Sequence, residues 1–479
     1  MKTRHLNKFW CALALIVCAT FIFGAGACAA ESNYDLAVKD GFSGSLTEWL
    51  ESQRGKSAYE LAFLADPTVG TQSEWLASLR VDDLSLEDLY GFYKKEHPDK
   101  TIDDFMAAFL KDTRDPLQDA AQKALRSAVS IRARFGNFST TNTLAGSGVI
   151  LSLDRETGEA VIITNYHVLY DKNVSENIRV CPYGKEYFGG SGSGANALDL
   201  SVGADFIGGS ISKDIAILRT RVSDPNIGTF KSAEYRAADV ADSEQIVVGE
   251  PAIAVGNPEG VGISATRGIV NVDSEYITMK RIDSGSGNVS HRVIRIDAAI
   301  NSGNSGGGLY NKSGELIGVV NAKAVDEQID NIGYAIPSNV AIGIANSVAD
   351  GVKEDGKFVK YLIGITTQIK GSRAVLDEGG VMRIREELEV SQVEPGRPSA
   401  AIVAVRDVLI SARIDSSGRV GGPARAGDGD EMQISRNFTL SDYLYRVRVG
   451  DKVILTVLRS GAETTLGPIT VSNKSWVEI

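Results

Sequence analysis

From about residue 125 onward, the sequence is a series of short apolar runs rich in β-branched residues, separated by Gly, Asn and Asp. Such runs occur at 128–131, 148–151, 160–163, 215–218 and 316–320. Many short strands with turn signals between them predict a mainly β fold, either a barrel or a sandwich. Two segments rich in Gly, Ser or Asn, 183–209 and 274–290, are predicted to be long surface loops or insertions.

The strongest short motif is Gly303-Asn304-Ser305-Gly306-Gly307. Flanking glycines let a serine present its hydroxyl on a tight turn, with backbone N–H groups free to stabilise a developing oxyanion. Taken alone, the motif also fits the elbow of α/β-hydrolases, which need a histidine after the serine. None of the four histidines (His5, His97, His167 and His291) follows the motif. This order excludes the elbow for an enzyme with a histidine base.

The remaining order, His before Asp before Ser, is that of the chymotrypsin class. His167 ends one apolar run, and Asp214 leads into another. In that class the serine attacks, the imidazole carries the proton and a buried carboxylate fixes the imidazole tautomer. We therefore predict a catalytic triad of His167, Asp214 and Ser305, with Asp199 and Asp205 as rivals to Asp214.

The other chemically reactive side chains are assigned ordinary roles. His97 is predicted to lie in a solvated loop, and His291 on the surface of the second predicted insertion. Cys181 is the one cysteine beyond the N-terminal thirty residues, so it has no intramolecular disulfide partner there and is predicted to be a structural thiol. Neither a metal site nor a nucleotide-binding glycine loop is predicted, and no cofactor is expected.

Seven motifs in this part of the chain resemble, in order, those of the HtrA (DegP-like) serine proteases. They are Gly-Ser-Gly-Val-Ile at 146–150, Thr-Asn-x-His-Val at 164–168, Asp-Ile-Ala at 214–216, Ala-Val-Gly-Asn-Pro at 254–258, Gly-Ile-Val at 268–270, Asp-Ala-Ala-Ile-Asn-x-Gly-Asn-Ser-Gly-Gly at 297–307 and Asn-Ile-Gly-Tyr-Ala-Ile-Pro at 331–337. The match covers about residues 125–345.

The resemblance implies a chymotrypsin-like double β-barrel with the triad in the cleft between the barrels. It also implies an oxyanion hole in the segment of Gly303, Asn304 and Ser305, with the backbone N–H groups of the first and last as donors. Trypsin-like digestive enzymes that select basic residues carry an acid six residues before the serine, where this chain has Ala299. With Ala299 and Ile300 in the specificity pocket, we predict cleavage after small aliphatic residues such as Val or Ala.

Asn304, the residue just before the serine, also differs from its counterpart in the trypsin-like digestive enzymes. In the digestive enzymes this position is an Asp that pairs with a newly cut N-terminus. Asparagine cannot form that ion pair, so activation by N-terminal cleavage is not expected.

Residues 357–474 resemble a PDZ domain, an α/β module that binds an extended chain by adding a strand to its sheet edge. Ile363, Gly364 and Ile365 match the loop that captures a peptide C-terminal carboxylate. Two features depart from the pattern: Arg406-Asp407 replaces the usual Gly-Asp, and 416–430 is predicted to be an insertion. A degenerate structural module without a ligand is the alternative.

The N-terminal residues 1–27 have the basic start, uncharged stretch and small-residue end of a signal peptide or membrane anchor. Cys28 follows Ala-Gly-Ala, which resembles a bacterial lipobox with Cys28 as the lipidated residue. Plain secretion and a retained signal anchor are the alternatives. Each places the rest of the chain outside the cytoplasm, at the cell surface or secreted.

Residues 31–118 are predicted to form a small α-helical repeat region, with a unit of about 25 residues anchored by Trp49 and Trp75. Ser85 and Thr101 each begin a capping box, with an acid three residues later. A helical spacer and a binding module are both open readings of this region.

The predicted order is therefore a leader (1–27), a helical repeat region (31–118), a trypsin-like serine protease domain (119–350) and a PDZ-like domain (357–474). The predicted function is extracytoplasmic proteolysis of misfolded or exported polypeptides, with peptide C-termini bound at the PDZ-like domain. The family habit implies a homotrimer. The alternative is a chaperone or binding protein with little proteolysis. Acidic residues outnumber basic ones, which disfavours a nucleic-acid partner.

Overall fold

The computed structural model describes residues 115–478 with gaps at 137–141, 172, 186–199, 284–286, 323–331, 352, 355–356, 421, 426 and 473–476, together with residues 94, 98–101 and 104. The chain divides into two compact units, Met1–Thr113 and Arg114–Ile479. The leader, Cys28 and the Trp-containing repeats lie outside the described residues.

In the first unit, Thr101 and Asp104 form the predicted capping box. The backbone N–H of Thr101 donates to Asp104 Oδ2 at 2.8 Å, and the N–H of Asp104 donates to Thr101 Oγ1 at 3.2 Å. These bonds satisfy two donors that a helix start would otherwise leave unpaired.

The predicted short strands form two closed barrels in the second unit. In the first, the sheet order β7-β6-β1-β2-β3-β8 closes on itself because β7 also pairs with β8. Alternate side chains of β1 are buried and exposed, as expected for a strand with one face on a core. The strands are β1 (Ala128–Phe135), β2 (Asn142–Leu153), β3 (Ala160–Thr164), β4 (Tyr170–Asp171), β5 (Asn173–Val174), β6 (Asn177–Pro182), β7 (Val202–Ser210) and β8 (Ile215–Thr220), with β4 and β5 forming a separate hairpin.

The second barrel has the ring order β10-β11-β14-β13-β12-β9. Its strands are β9 (Pro251–Gly256), β10 (Ser264–Lys280), β11 (Asn288–Ile296), β12 (Gly308–Tyr310), β13 (Leu316–Val320) and β14 (Gly333–Pro337). The prediction of a loop over 274–290 is wrong, because β10 and β11 pair from Val270 to Lys280 as a long hairpin. The loop predicted over 183–209 also ends earlier, since β7 begins at Val202.

Two helices pack across the barrels: α1 (Pro116–Leu125) and α2 (Ser338–Ala349). The first begins at Pro116 because Asp115 caps it, accepting a hydrogen bond from the N–H of Leu117 at 3.0 Å. Both helices share one apolar core with strands from the two barrels. We call this shared core the barrel seam; its members include Ile163, Ile215, Ile253, Tyr310 and Ile336.

A second sheet follows the barrels and has its own core. Its order is β18-β19-β20-β22-β23, with β21 beside β20. The remaining elements are β15 (Lys353–Glu354), β16 (Lys357–Phe358), β17 (Lys360–Tyr361), β18 (Ile365–Leu376), β19 (Met382–Val393), β20 (Val408–Asp415), β21 (Met432–Gln433), α3 (Thr439–Tyr443), β22 (Lys452–Arg459), β23 (Ala462–Thr470) and β24 (Val477–Glu478), which pairs with β17. We call residues 357–478 the C-terminal domain.

Charged side chains join the C-terminal domain to the barrels. Arg292 of β11 forms a buried ion pair with Asp442 of α3, and its guanidinium lies 3.6 Å from the ring centroid of Phe438. Asp350, which follows α2, accepts hydrogen bonds from Arg425 at 2.6 Å and from Arg448 Nε at 3.1 Å. We call these two groups of contacts the domain junction.

The prediction of a mainly β fold with a double barrel is confirmed by this topology. The domain boundaries stay a prediction. Within the described residues, no helix has the length and apolar character needed to cross a membrane.

Candidate active site

The strand pairing of the first barrel brings His167 and Asp214 together. β3 and β8 are antiparallel neighbours, with Thr164 opposite Ala216, so the residues after β3 and before β8 meet at one end. His167 lies in a short 3₁₀ helix, Tyr166–Val168. Its Nδ1 is 2.7 Å from Asp214 Oδ2, and its backbone N–H donates to Oδ1 of the same carboxylate at 2.9 Å.

Asp214 is held by more than the histidine. Its side chain is 1% exposed, and Asn321 Nδ2 donates to Oδ2 at 2.9 Å. Asn165 Nδ2 donates to the backbone oxygen of Asp214 at 2.9 Å. Asp214 also has φ = 53°, a left-handed conformation that costs free energy in a non-glycine residue and persists where its surroundings enforce it. The carboxylate is thus fixed in place to orient the imidazole.

The segment that carries Ser305 packs against the residues just before His167. Gly306 has φ = 84°, and a Cβ there would lie 2.1 Å from Thr164 Oγ1 and 3.0 Å from the backbone N of Asn165. Only glycine allows this close approach without strain. Ser305 itself is buried, and its backbone oxygen accepts a hydrogen bond from the N–H of Ser147 at 2.8 Å.

The turn around the serine leaves two backbone donors available. Gly303 has φ = 95°. The N–H of Asn304 donates to Asn301 O at 3.0 Å, whereas the N–H groups of Gly303 and Ser305 have no acceptor in the described part of the chain. An oxyanion hole needs donors of this kind, because they must be free to bind charge that develops in the transition state.

Neither of the two other candidates for the triad aspartate is found beside His167 in the described part of the chain. Asp205 lies on β7, where its exposed carboxylate pairs with Arg221 at 2.7 Å. Asp199 lies outside the described residues. The roles of His167, Asp214 and Ser305 in catalysis stay a prediction, but their chain segments meet at one place.

His291 is not the surface residue that was predicted. It lies on β11 and is only 3% exposed, because the predicted insertion is a strand of the second barrel. Burial is the main cause that lowers its pKa below the usual value, so a neutral, structural imidazole is favoured. Cys181 is buried, as expected of a structural thiol.

The remaining predicted site residues lie in two other segments, one just before the serine loop and one around the start of β18. Ala299 is exposed and its carbonyl accepts from Thr266 at 2.9 Å, while Ile300 is half-buried and packs on Gly333. Ile363 and Gly364 directly precede β18, which begins at Ile365, and Gly364 has φ = 82°. Peptide binding and pocket formation by these residues stay predictions. Among the described residues, no cluster of three or more His, Cys, Asp or Glu could hold a metal.

Sequence reasoning missed Asn321 and Ser147 as parts of this site. A signal existed for the first, since Asn321 is a polar residue placed directly after the apolar run 316–320. Such a residue at the end of a buried strand often needs a specific hydrogen-bond partner. Ser147 lies within a resembling motif, but nothing in the sequence indicates which atoms it contacts.

Comparison with known proteins gives a consistent result. The family described as "Trypsin-like peptidase domain" matches residues 146–319. "Serine protease Do-like HtrA" of Lactococcus lactis subsp. lactis (strain IL1403) is 28% identical over 345 residues, covering 69% of this chain and 72% of that protein. "Serine protease Do-like HtrB" of Bacillus subtilis (strain 168) is 30% identical over 328 residues, covering 67% of this chain and 60% of that protein.

One similar solved structure is described as "HtrA-type protease AlgW with tripeptide". It is 23% identical, and the match covers 73% of this chain and 95% of that chain, with a TM-score of 0.42.

Proposed function

From the premise that this chain is an HtrA-like serine endopeptidase with the trypsin fold, we propose that His167, Asp214 and Ser305 perform its peptide-bond hydrolysis. The observation that carries the proposal is the 2.7 Å contact between His167 Nδ1 and the buried Asp214, beside the loop of Ser305. A histidine held by a carboxylate on one nitrogen keeps the other nitrogen available to a serine hydroxyl.

The chemistry follows from these positions. Ser305 Oγ attacks the scissile carbonyl carbon while His167 Nε2 takes the hydroxyl proton. The carbonyl oxygen becomes an oxyanion that accepts hydrogen bonds from the N–H groups of Gly303 and Ser305. His167 then returns the proton to the leaving amine, which leaves an acyl-enzyme. A water molecule repeats the sequence and releases the acid and the free serine.

The substrate class is proposed from the specificity residues. Ala299 and Ile300 offer no charge that would attract a basic side chain, so cleavage after Val or Ala is favoured over cleavage after Arg or Lys. Cleavage sites mapped by mass spectrometry on digested casein test this directly. Predominant cleavage after basic residues would contradict it.

The C-terminal domain is proposed to be PDZ-like and to bind peptide C-termini at Ile363, Gly364 and Ile365. β18 has a free edge in the sheet order of this domain among the described strands, which suits strand addition by a peptide. We propose misfolded or exported polypeptides as substrates, an extracytoplasmic location with Cys28 lipidated, and trimeric assembly. These last points rest on the sequence alone.

Ser305→Ala in the full chain, purified in mild detergent, tests the mechanism. Casein hydrolysis should fall by about 10⁴-fold or more, because the variant lacks the nucleophile. Labelling of the protein by a fluorophosphonate should disappear as well. Ser313→Ala, at an exposed serine in the turn after β12, should keep both properties.

Two outcomes would contradict the proposal. Hydrolysis that persists in Ser305→Ala would exclude Ser305 as the nucleophile. If neither the parent chain nor the variant degrades denatured casein, even with C-terminal peptides added, the binding-protein alternative would be favoured.

A further inference from the structure

The hydroxyl of Ser147 lies between the two barrels at the candidate active site. Ser147 is on β2 of the first barrel and is 1% exposed. Its Oγ donates to the backbone oxygen of Gly303 at 2.7 Å, and it accepts from the backbone N–H of Asn257 at 2.7 Å. Both partners belong to the second barrel, so one neutral hydroxyl joins the barrels beside the oxyanion donors.

The main chain of the same residue holds the other two parts of the site. The N–H of Ser147 donates to Ser305 O at 2.8 Å. Its carbonyl accepts from Thr164 Oγ1 at 2.7 Å, three residues before His167. Every polar group of Ser147 is therefore engaged, and the residue lies between the segment of the predicted base and that of the predicted nucleophile.

The contact with Gly303 matters because of which peptide plane it fixes. The carbonyl of Gly303 and the N–H of Asn304 form one peptide plane, and the N–H of Gly303 and of Ser305 lie on either side of it. Gly303 has φ = 95°, and a glycine can rotate away from such a conformation at little cost. A hydrogen bond to its carbonyl therefore restrains the direction of both oxyanion donors.

Close packing around the serine loop leaves it little room to adopt another conformation. A Cβ at Gly256 would lie 2.8 Å from Asn304 Oδ1 and 3.0 Å from Ser147 Oγ. Asn257 is also fixed on its other side, since its Oδ1 accepts from the N–H of Gly262 at 2.7 Å. The acceptor that Ser147 offers to Asn257 cannot be replaced by solvent, because the site is buried.

We propose that Ser147 is a positioning residue for the oxyanion hole, which acts by orienting the Gly303–Asn304 peptide from the opposite barrel. This inference rests on the proposed function of the triad. Ser147 does not touch substrate or the reacting atoms in this proposal. It sets the direction of the donors that do.

The test compares the full-length parent with Ser147→Ala and Ser127→Ala. Ser127 is a matched control because its hydroxyl is equally buried (1% exposed) and also bridges the barrels, donating to Ala124 O at 2.9 Å and lying 3.0 Å from Tyr310 Oη. Among the described residues, none of its hydrogen bonds goes to the serine loop. Active sites are counted by fluorophosphonate labelling, and the substrate is a peptide from a mapped casein cleavage site.

For Ser147→Ala we expect kcat per labelled site to fall by about 10- to 100-fold, less than the loss of a direct oxyanion donor. KM should stay within about twofold, because ground-state contacts are kept. Affinity for a trifluoromethyl ketone of the same peptide, which forms a hemiketal oxyanion, should fall by the same factor as kcat/KM. The corresponding peptide alcohol should inhibit both proteins equally.

Ser127→Ala should lower the apparent melting temperature as much as Ser147→Ala does, with unchanged kcat and unchanged ketone affinity. Ser147→Cys, which replaces the hydroxyl by a slightly larger thiol that donates weakly, should be intermediate and serves if the alanine variant does not fold. A kcat per labelled site within twofold of the parent, or equal kinetic losses in both alanine variants, would overturn the inference. Failure of the proposed function is distinguished separately, because it would appear as a parent chain that is neither labelled nor active.

Discussion

The barrel seam and the domain junction join large parts of the molecule by different chemistry. The seam is an apolar core, supplemented by neutral hydroxyls such as Ser127 and Ser147 that hydrogen-bond across it. The junction contains ion pairs, of which Arg292–Asp442 and Asp350–Arg448 are almost fully buried, and beside them Phe358 and Tyr445 of the C-terminal domain pack into the apolar core around α2. Both contacts bury apolar surface, but the junction depends in addition on charge compensation.

The difference follows from what each contact must do. Apolar packing and neutral hydrogen bonds have no titrating group, so they keep the triad segments in fixed geometry over a wide pH range. Buried charges contribute little net stability when paired but cost much when one partner is lost. We infer that the geometry of the barrels is insensitive to pH, and that the C-terminal domain is attached in part by contacts that respond to charge.

Asp350 illustrates the charged contact. It follows the C-terminal end of α2, where the helix dipole disfavours a negative charge. The carboxylate is nevertheless 4% exposed and pairs with Arg425 and Arg448. Gly422 makes room for it, since a Cβ there would lie 2.4 Å from Asp350 Cγ. The presence of an acidic residue after α2 is thus explained by its ion pairs with the C-terminal domain and not by the helix itself.

The largest loss of stability is expected for Asp350→Ala. Removal of the carboxylate leaves the buried guanidinium of Arg448 without its partner, so the free energy of unfolding should fall by about 3–5 kcal/mol. Asp350→Asn, which keeps an acceptor, should cost about half as much. Denaturant unfolding of the full chain followed by limited proteolysis measures the loss and locates it.

The seam provides the control for this variant. Ser127→Ala should cost only about 1–2 kcal/mol, because it removes neutral hydrogen bonds. If Asp350→Ala costs no more than Ser127→Ala, the charged junction does not hold the domain as described.

A smaller, pH-dependent effect is expected for Glu244, which faces the junction. Burial is the main cause that raises its pKa from 4.5 to about 7, with Asp242 and Asp442 adding repulsion and Arg292 opposing them. Between pH 4.5 and 7 the folded protein keeps a proton that the unfolded chain releases. Stability therefore falls as pH rises through this window, and the cost is complete above about pH 7.

Glu244→Gln removes that titration. The variant should be more stable than the parent by about 1–3 kcal/mol at pH 8 and similar to it at pH 4.5, measured as apparent melting temperature across the range. A stability difference that does not change with pH would contradict the assignment.

The smallest effect is expected at Arg406, inside the C-terminal domain. Its φ is 77°, and its backbone N–H donates to Val390 O at 2.8 Å. A left-handed conformation is unfavourable for arginine but not for glycine. Arg406→Gly should therefore stabilise the protein by about 0.5–1 kcal/mol after the extra entropy of unfolded glycine is subtracted. Thermal unfolding measures this, and destabilisation would show that the arginine side chain contributes contacts that outweigh the strain.

Much of the fold could be predicted from the sequence because strand signals are local. The apolar runs at 128–131, 160–163 and 316–320 all lie in barrel strands. The prediction failed at 274–290, where Gly, Ser and Asn accompany a hairpin whose long strands pair with each other. Backbone hydrogen bonds between strands stabilise such a segment despite its weak local preference. His291 was misplaced for the same reason.

The triad segments were predictable because their chemistry requires particular residue types in a known chain order, with glycines beside the serine. The residues that hold these segments in place by hydrogen bonds could not be predicted from the sequence. Asn321 and Ser147 both form side-chain hydrogen bonds to residues more than 100 positions away, and no local pattern specifies such pairs. Arg406 was predictable in part. The sequence shows that it replaces the glycine usual in PDZ domains, but its positive φ is known only from the structure.

The strand-rich fold, the order of His, Asp and Ser, and the glycines of the serine loop could be read from the amino-acid sequence, because these features depend on neighbouring residues and on reaction chemistry. The neutral hydrogen bonds between the barrels and the buried ion pairs that help to attach the C-terminal domain became visible in the folded protein alone. The free energy of a charge or a hydroxyl depends on its burial and on its partner, and both are fixed only when distant segments pack together.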